Sequence, residues 1–125
     1  VFDTEKKLKI PSNFILLGHK YSVVFLDDLF ENESCYGDAD EDLKRIRLQT
    51  PKKVKRFHEE NGKNIESEME ITDNMVIETF FHEVSHIIYD AIGENELSEN
   101  ERLVNMMGKA WLEIYLSSVY EEESK

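Results

Sequence analysis

Residues 82–86 read His82-Glu83-Val84-Ser85-His86. Positions four apart on an α-helix lie one above the other on the same face, so both imidazoles can offer a nitrogen to one metal ion. Glu83, one step round the helix, can reach a water on that ion without competing as a ligand. Two histidines beside a carboxylate in this spacing form the first half of a zinc hydrolase site.

The same residues also admit a plainer account, two structural histidines in a glutamate-rich chain. Context separates the two. Val76, Ile77, Phe80, Phe81, Val84, Ile87, Ile88 and Ala91 recur at helical spacing around the pentad and predict a helix over 73–92 with a broad buried face. Thr72 or Asp73 can cap its start and Gly93 can end it. Two histidines and a glutamate inside such a helix carry a desolvation cost unless they are hydrogen-bonded or bound to a metal.

Two histidines leave a tetrahedral zinc one protein ligand short, with a fourth position for water. His58 and His19 lie upstream, on a polar segment and in a turn. Downstream, Glu94, Glu96, Glu99 and Glu101 are all within reach of the helix. A ligand on a second helix packed across the first is held more rigidly than one on a loop, which favours Glu101. Glu101 has a competing role, because Ser98-Glu99-Asn100-Glu101 matches a capping box whose glutamate folds back onto the N-cap amide. One carboxylate cannot serve both, and the local pattern leaves cap and ligand open.

The elements that must position these groups follow from the rest of the chain. Its 125 residues match one domain with a single modest core. Residues 14–17 and 21–26 read as a hairpin across Gly18, and 44–49 alternates Ile46 and Leu48 with Arg45, Arg47 and Gln49. Residues 35–42, with their Gly and Asp residues, read as a turn. Asn61-Gly62 is a strong turn signal within the polar stretch 51–71, where 52–60 reads as a short helix and 65–71 as extended or irregular. A last helix is predicted over 99–120, with Leu103, Met107, Ala110, Trp111, Ile114 and Ser118 on one face. The expected fold class is α+β: a small three-stranded, mainly antiparallel sheet packed on the pentad helix and a C-terminal helix. Residues 1–9 read as a loosely held leader and 121–125 as a flexible tail.

Composition narrows the partners. Twenty-seven acidic residues against 15 basic give a net charge of −12, which argues against nucleic-acid phosphates as the main partner. The basic run Pro51-Lys52-Lys53-Val54-Lys55-Arg56 is short and reads as a solvated face. The single cysteine, Cys35, allows no internal disulfide, fits a reducing compartment, and is expected to be a structural or exposed thiol. No stretch reads as a signal peptide or membrane span. The expectation is a cytoplasmic protein without a membrane partner.

Residues 79–88, with Glu101-Arg102-Leu103-Val104-Asn105-Met106-Met107-Gly108 after a short loop, resemble the ImmA/IrrE-like zincin metallopeptidases. More narrowly, the chain looks like their small phage-encoded relatives, which carry a short sheet ahead of the motif helix. The family pairs the pentad with a later helix of pattern E-x-x-A-N-x-F-A, and Glu101, Val104, Asn105, Met107 and Gly108 sit at those spacings. Only the glutamate and the asparagine are identical. Gly18 to Val23, Cys35-Tyr36-Gly37 and the strand at 44–49 extend the likeness to about three-quarters of the chain, while 51–71 looks like an insertion. The resemblance implies Glu101 as third zinc ligand and a peptide or protein substrate lying along the sheet edge. The strand at 44–49, with Arg45 and Arg47, is the expected place for it. The implied reaction is peptide-bond hydrolysis with Glu83 as general base. Tyr36 and Tyr89 are conceivable oxyanion donors, each with a plainer role as an ordinary tyrosine. Asp90 could orient His86, or be a simple surface residue at the helix end.

Two other function classes fit the same residues. One is a non-catalytic zincin-like domain whose metal is structural, or which acts by binding a partner; Glu83 weighs against it, because a structural site has no need of that carboxylate. The other is an α+β interaction module in which the pentad is accidental, which predicts His82 and His86 bonded to protein groups and no metal.

Overall fold

The structure, a computed structural model, describes residues 10–118; the expected leader and tail lie outside them. The chain begins with a hairpin, β1 (Asn13–Leu16) and β2 (His19–Leu26), paired antiparallel. Its two-residue turn, Leu17-Gly18, has positive φ at both positions, the backbone twist that two-residue hairpin loops require. A single helical turn, α1 (Leu29–Glu33), leads to β3 (Gly37–Asp40), which turns back antiparallel against β4 (Arg45–Gln49). β4 lies parallel to β2, so the four strands run in the order β1-β2-β4-β3.

The architecture is α+β, as expected, and this sheet is mainly antiparallel, with β2–β4 its parallel pairing; the correction is that it has four strands rather than three. The extra strand is β3, which Gly37-Asp38-Ala39-Asp40 disguises as a turn. It extends because β4 is beside it: Asp38 stands opposite Arg47 and takes a two-pronged hydrogen bond from that guanidinium, with Nε to Oδ1 at 2.8 Å. Glu33 closes on the other side of Arg47 at 3.1 Å. These pairings connect residues across a fold, and nothing local in the segment announces them.

The stretch 51–71 corrects the sequence more strongly. In place of a short helix over 52–60 it has a strand, β5 (Lys52–Glu60), which pairs with β6 (Lys63–Ile71) in a second, two-stranded sheet, so that 65–71 is extended. Asn61 and Gly62 both have positive φ and close it as a two-residue turn. Its period-2 pattern is muted because only Val54 and Ile71 are buried. Lys53–Glu68 and Lys55–Glu66 ion pairs, at 3.6 and 3.2 Å, line one of its exposed faces.

Helix α2 (Asp73–Ala91) follows at once. The Thr72 side chain accepts from Met75 N at 3.2 Å, and Asp73 adds negative charge to the first turn, where the helix dipole favours it. The helix lies on the sheet face that Ile46 and Leu48 present. Tyr21, Val23, Ile46, Leu48, Val54, Ile71, Val76, Phe80 and Ile87 form the core between them. Each fully buried aliphatic here contributes roughly 1.5–3 kcal/mol. Gly93 (φ 81) turns the chain into a single helical turn, α3 (Asn95–Glu99), and then α4 (Glu101–Ser117). The predicted last helix is α4, and α3 is an added turn ahead of it; Asn100 Oδ1 accepts from Leu103 N at 3.1 Å and caps α4.

α4 packs back on α2 through Val104, which is fully buried, and Gly108. Among the described residues no helix is long and apolar enough to cross a membrane.

Candidate metal centre

The pentad lies in the middle of α2, and its helical spacing sets the two imidazoles together: His82 Nε2 and His86 Nε2 are 3.1 Å apart. Glu101 completes the group from the first residue of α4, with Oε2 at 3.4 Å from His82 Nε2 and Oε1 at 3.2 Å from His86 Nε2. Asn100, not Ser98, is the N-cap, so the capping box does not form and Glu101 is free of that duty. Being at the N-terminus of a 17-residue helix favours its negative charge.

These separations have a chemical meaning. Zinc–nitrogen and zinc–oxygen bonds of about 2.0–2.2 Å at tetrahedral angles put neighbouring donor atoms roughly 3.3 Å apart. The His82–His86 separation of 3.1 Å is close to that value, and each imidazole has one of the two Glu101 oxygens at a similar distance. Lone-pair atoms facing one another at such distances repel unless a proton or a cation stands among them. Among the described residues His82, His86 and Glu101 are a group that could hold a metal ion, their ligand atoms within 4.8 Å of one another.

Glu83 points from the same helix into a nearly closed environment, its Oε2 3.8 Å from His82 Nε2. Burial, then the charges of Asp38 and Glu101, push its carboxyl up to about 8. A proton-exchanging group poised near neutrality is what proton transfer to and from a reacting water needs. His82 moves the other way: burial and the neighbouring His86 lower its pKa, against Glu101, a hydrogen bond with Asn105 and Glu78. A neutral imidazole is the form that ligates a metal.

Beside Glu83 and His82 lies a cavity of about 360 Å³, lined also by Tyr36, Gly37, Glu78, Thr79, Asn105 and Lys109. One wall is β3, which Gly37 lets approach α2 closely. A Cβ at Gly37 would stand 2.7 Å from Arg47 O and 2.8 Å from Thr79 Cγ2. The outer rim of β3 is an edge of the four-stranded sheet.

The expected substrate strand, 44–49, is therefore corrected. β4 is interior, paired on both sides, and has no free edge to offer; the edge beside the pentad belongs to β3. Ile46 and Leu48 face the core beneath α2, so Arg45 and Arg47 project from the opposite face. There they line a separate depression with Asp38, Asp40, Glu41 and Asp42, and Arg47 is held by Asp38 and Glu33.

The remaining candidates sort themselves by position. Tyr36 lines the cavity, but its hydroxyl is directed at Met69 Sδ, 3.8 Å away. His58 pairs with Glu60 at 3.6 Å near the end of the hairpin, and His19 is exposed at the start of β2. Burial, with Asp38 and Glu33 next, raises the Cys35 thiol, which keeps it protonated rather than nucleophilic. Asp90 makes no hydrogen bond to His86; that neighbour is Ser98, buried at 5% exposure, with Oγ 3.3 Å from His86 Nδ1. The sequence offered Ser98 only as a possible cap and gave no role to Gly37, Thr79 or Lys109. Gly37 carries no local signal that sets it apart from a turn glycine, whereas Gly108 stands inside the predicted last helix.

No family model, no curated protein and no solved structure matches this chain.

Proposed function

We propose that this protein is a zinc-dependent metallopeptidase of ImmA/IrrE-like zincin type. The observation that carries the proposal is the gathering of His82, His86 and Glu101, whose ligand atoms lie within 4.8 Å of one another beside the buried Glu83. His82, His86 and Glu101 hold the ion. Zinc, when bound, supplies Lewis acidity, bringing the pKa of a water toward 7 and polarising a carbonyl.

The chain's own residues do the rest. Glu83 takes a proton from the attacking water as its oxygen bonds to the scissile carbonyl carbon. It returns that proton to the amide nitrogen as the C–N bond breaks. An extended peptide or protein segment pairs with the outer edge of β3, which runs beside the cavity, and one substrate side chain enters between Thr79, Glu78, Asn105 and Lys109. The acidic composition is consistent with a peptide rather than a nucleic-acid partner, and the cysteine usage with the cytoplasm.

The near-burial of Glu83 supports catalysis over a structural metal, since such a site has no use for a costly buried carboxyl at its side. The test is metal analysis joined to a proteolysis assay. The proposal expects about one zinc per chain and cleavage of an unfolded protein substrate that stops on chelation. It also expects a Glu83→Gln variant that keeps zinc and cleaves nothing. Intact cleavage by Glu83→Gln would remove the mechanism.

A further inference from the structure

We propose that Ser98 is a positioning residue for His86: its oxygen accepts the Nδ1 proton of that imidazole and leaves Nε2 to face Glu101 and His82. This rests on the metal-centre proposal above, because it concerns which nitrogen is left to ligate.

The hydrogen-bond inventory of a hydroxyl carries the argument. Ser98 Oγ lies 3.3 Å from His86 Nδ1 and 3.3 Å from the backbone oxygen of the same residue. A serine hydroxyl has one proton and two lone pairs. The carbonyl oxygen can only accept, so the hydroxyl proton goes to it. The contact with Nδ1 then has the ring as donor. A neutral imidazole protonated on Nδ1 carries its lone pair on Nε2, and a metal-ligating histidine is held in that tautomer by the partner of its other nitrogen. Nε2 is the atom 3.1 Å from His82 Nε2 and 3.2 Å from Glu101 Oε1.

The placement of Ser98 is itself constructed. It sits on α3, twelve residues beyond His86. Ser98 N donates to Glu94 O at 3.1 Å, and Gly93 (φ 81) gives the reversal that brings α3 back over α2. Ser98 is buried at 5% exposure, and the His86 side chain is 20% exposed, so loss of the hydroxyl removes the protein acceptor of the Nδ1 proton. A carboxylate could take that proton too, but would add negative charge close to Glu83 and Glu101. A neutral acceptor avoids this.

The test uses the whole chain loaded with zinc and read by nitrogen-15 NMR and by competition with a chromophoric chelator. In the unaltered protein the His86 Nδ1–H resonance is expected to be visible and protected from solvent exchange. Ser98→Ala is expected to lose that protection and bind zinc about 10- to 100-fold more weakly, with His82 unaffected. Ser98→Thr, which keeps the hydroxyl, is expected to restore both. A His86 Nδ1–H that exchanges as fast as an exposed imidazole in the unaltered protein overturns the inference, whether or not the variants fold. So does unchanged zinc affinity in Ser98→Ala. An unaltered protein that binds no zinc overturns the metal centre and this inference with it, so the two failures are told apart.

Discussion

Gly108 of α4 lies directly over His82 of α2: a Cβ built on the glycine would stand 3.4 Å from both Cα and Cβ of the histidine, and 3.3 Å from Glu78 O. The two helices therefore leave barely room for a methyl group at the level of the first imidazole. Val104, one turn earlier on α4, is fully buried, and Glu101, one turn earlier again, reaches the histidines. The reach of a glutamate is short, so the helix–helix separation at Gly108 sets whether Glu101 arrives.

A methyl at position 108 asks its neighbours to yield by a few tenths of an ångström, whereas a branched side chain must lift α4. Gly108→Val is expected to cost about 1–3 kcal/mol by overpacking and to weaken zinc binding more than tenfold. Thermal unfolding with and without chelator measures the first, and chelator competition the second. Parental zinc affinity in Gly108→Val would disconnect the helix contact from the site.

Glu101 and Asn100 are neighbours with different jobs. Glu101→Ala is expected to lower zinc affinity about 100-fold or more while leaving the metal-free fold within about 0.5 kcal/mol, since the side chain is largely exposed. Asn100→Ala removes the cap of α4 and is expected to cost about 1 kcal/mol, with zinc affinity changed far less. The reverse pattern would return Glu101 to a capping role.

Glu83 gives the metal-free protein a pH signature. Its carboxyl is pushed from an ordinary 4.5 up to about 8, so the folded state binds that proton more tightly than the unfolded chain. Stability at this group is full below about 4.5 and declines as the pH rises toward 8, the folded form then bearing a buried charge. Chelator-treated protein is expected to lose on the order of a few kcal/mol across that window, less any solvent screening. Glu83→Gln should flatten the profile. Denaturant unfolding at stepped pH reads both, and equal slopes would show that Glu83 is not the group responsible.

Gly37 holds β3 against both its neighbours. Arg47 O, which a methyl would meet at 2.7 Å, is backbone of the paired strand and cannot rotate away. Gly37→Ala is expected to destabilise by about 1–3 kcal/mol and to depress peptide cleavage. Zinc content should stay parental, because no ligand sits on β3. Loss of zinc along with activity would mean that the strand supports the ion rather than the substrate.

How much was legible beforehand follows from the range over which each feature is specified. α2 was readable because its apolar period, its Thr72 cap and the His82–His86 spacing are all fixed within a turn or two. The β1–β2 hairpin and the Asn61-Gly62 turn were readable for the same reason, as two adjacent residues dictate the reversal. β5 and its pairing with β6 were not, because Lys53, Lys55, Glu66 and Glu68 stabilise one another across the hairpin while little apolar surface betrays the period. β3 was hidden for a related reason: Asp38 is a strand residue only because Arg47 stands opposite it.

The sequence by itself determined that two imidazoles and a carboxylate share one stretch of helix, since helical geometry permits nothing else at that spacing. Tertiary structure decided what stands around them. It moved the cap from Ser98 to Asn100, brought Glu101 to the two Nε2 atoms, and turned Ser98 inward onto His86. It also gave the free sheet edge to β3 instead of β4. Ser98 owes its place to the reversal at Gly93, while the approach of α4 and of β3 to α2 depends on Gly108 and Gly37, where the absence of a side chain acts only once the neighbouring backbone is in place.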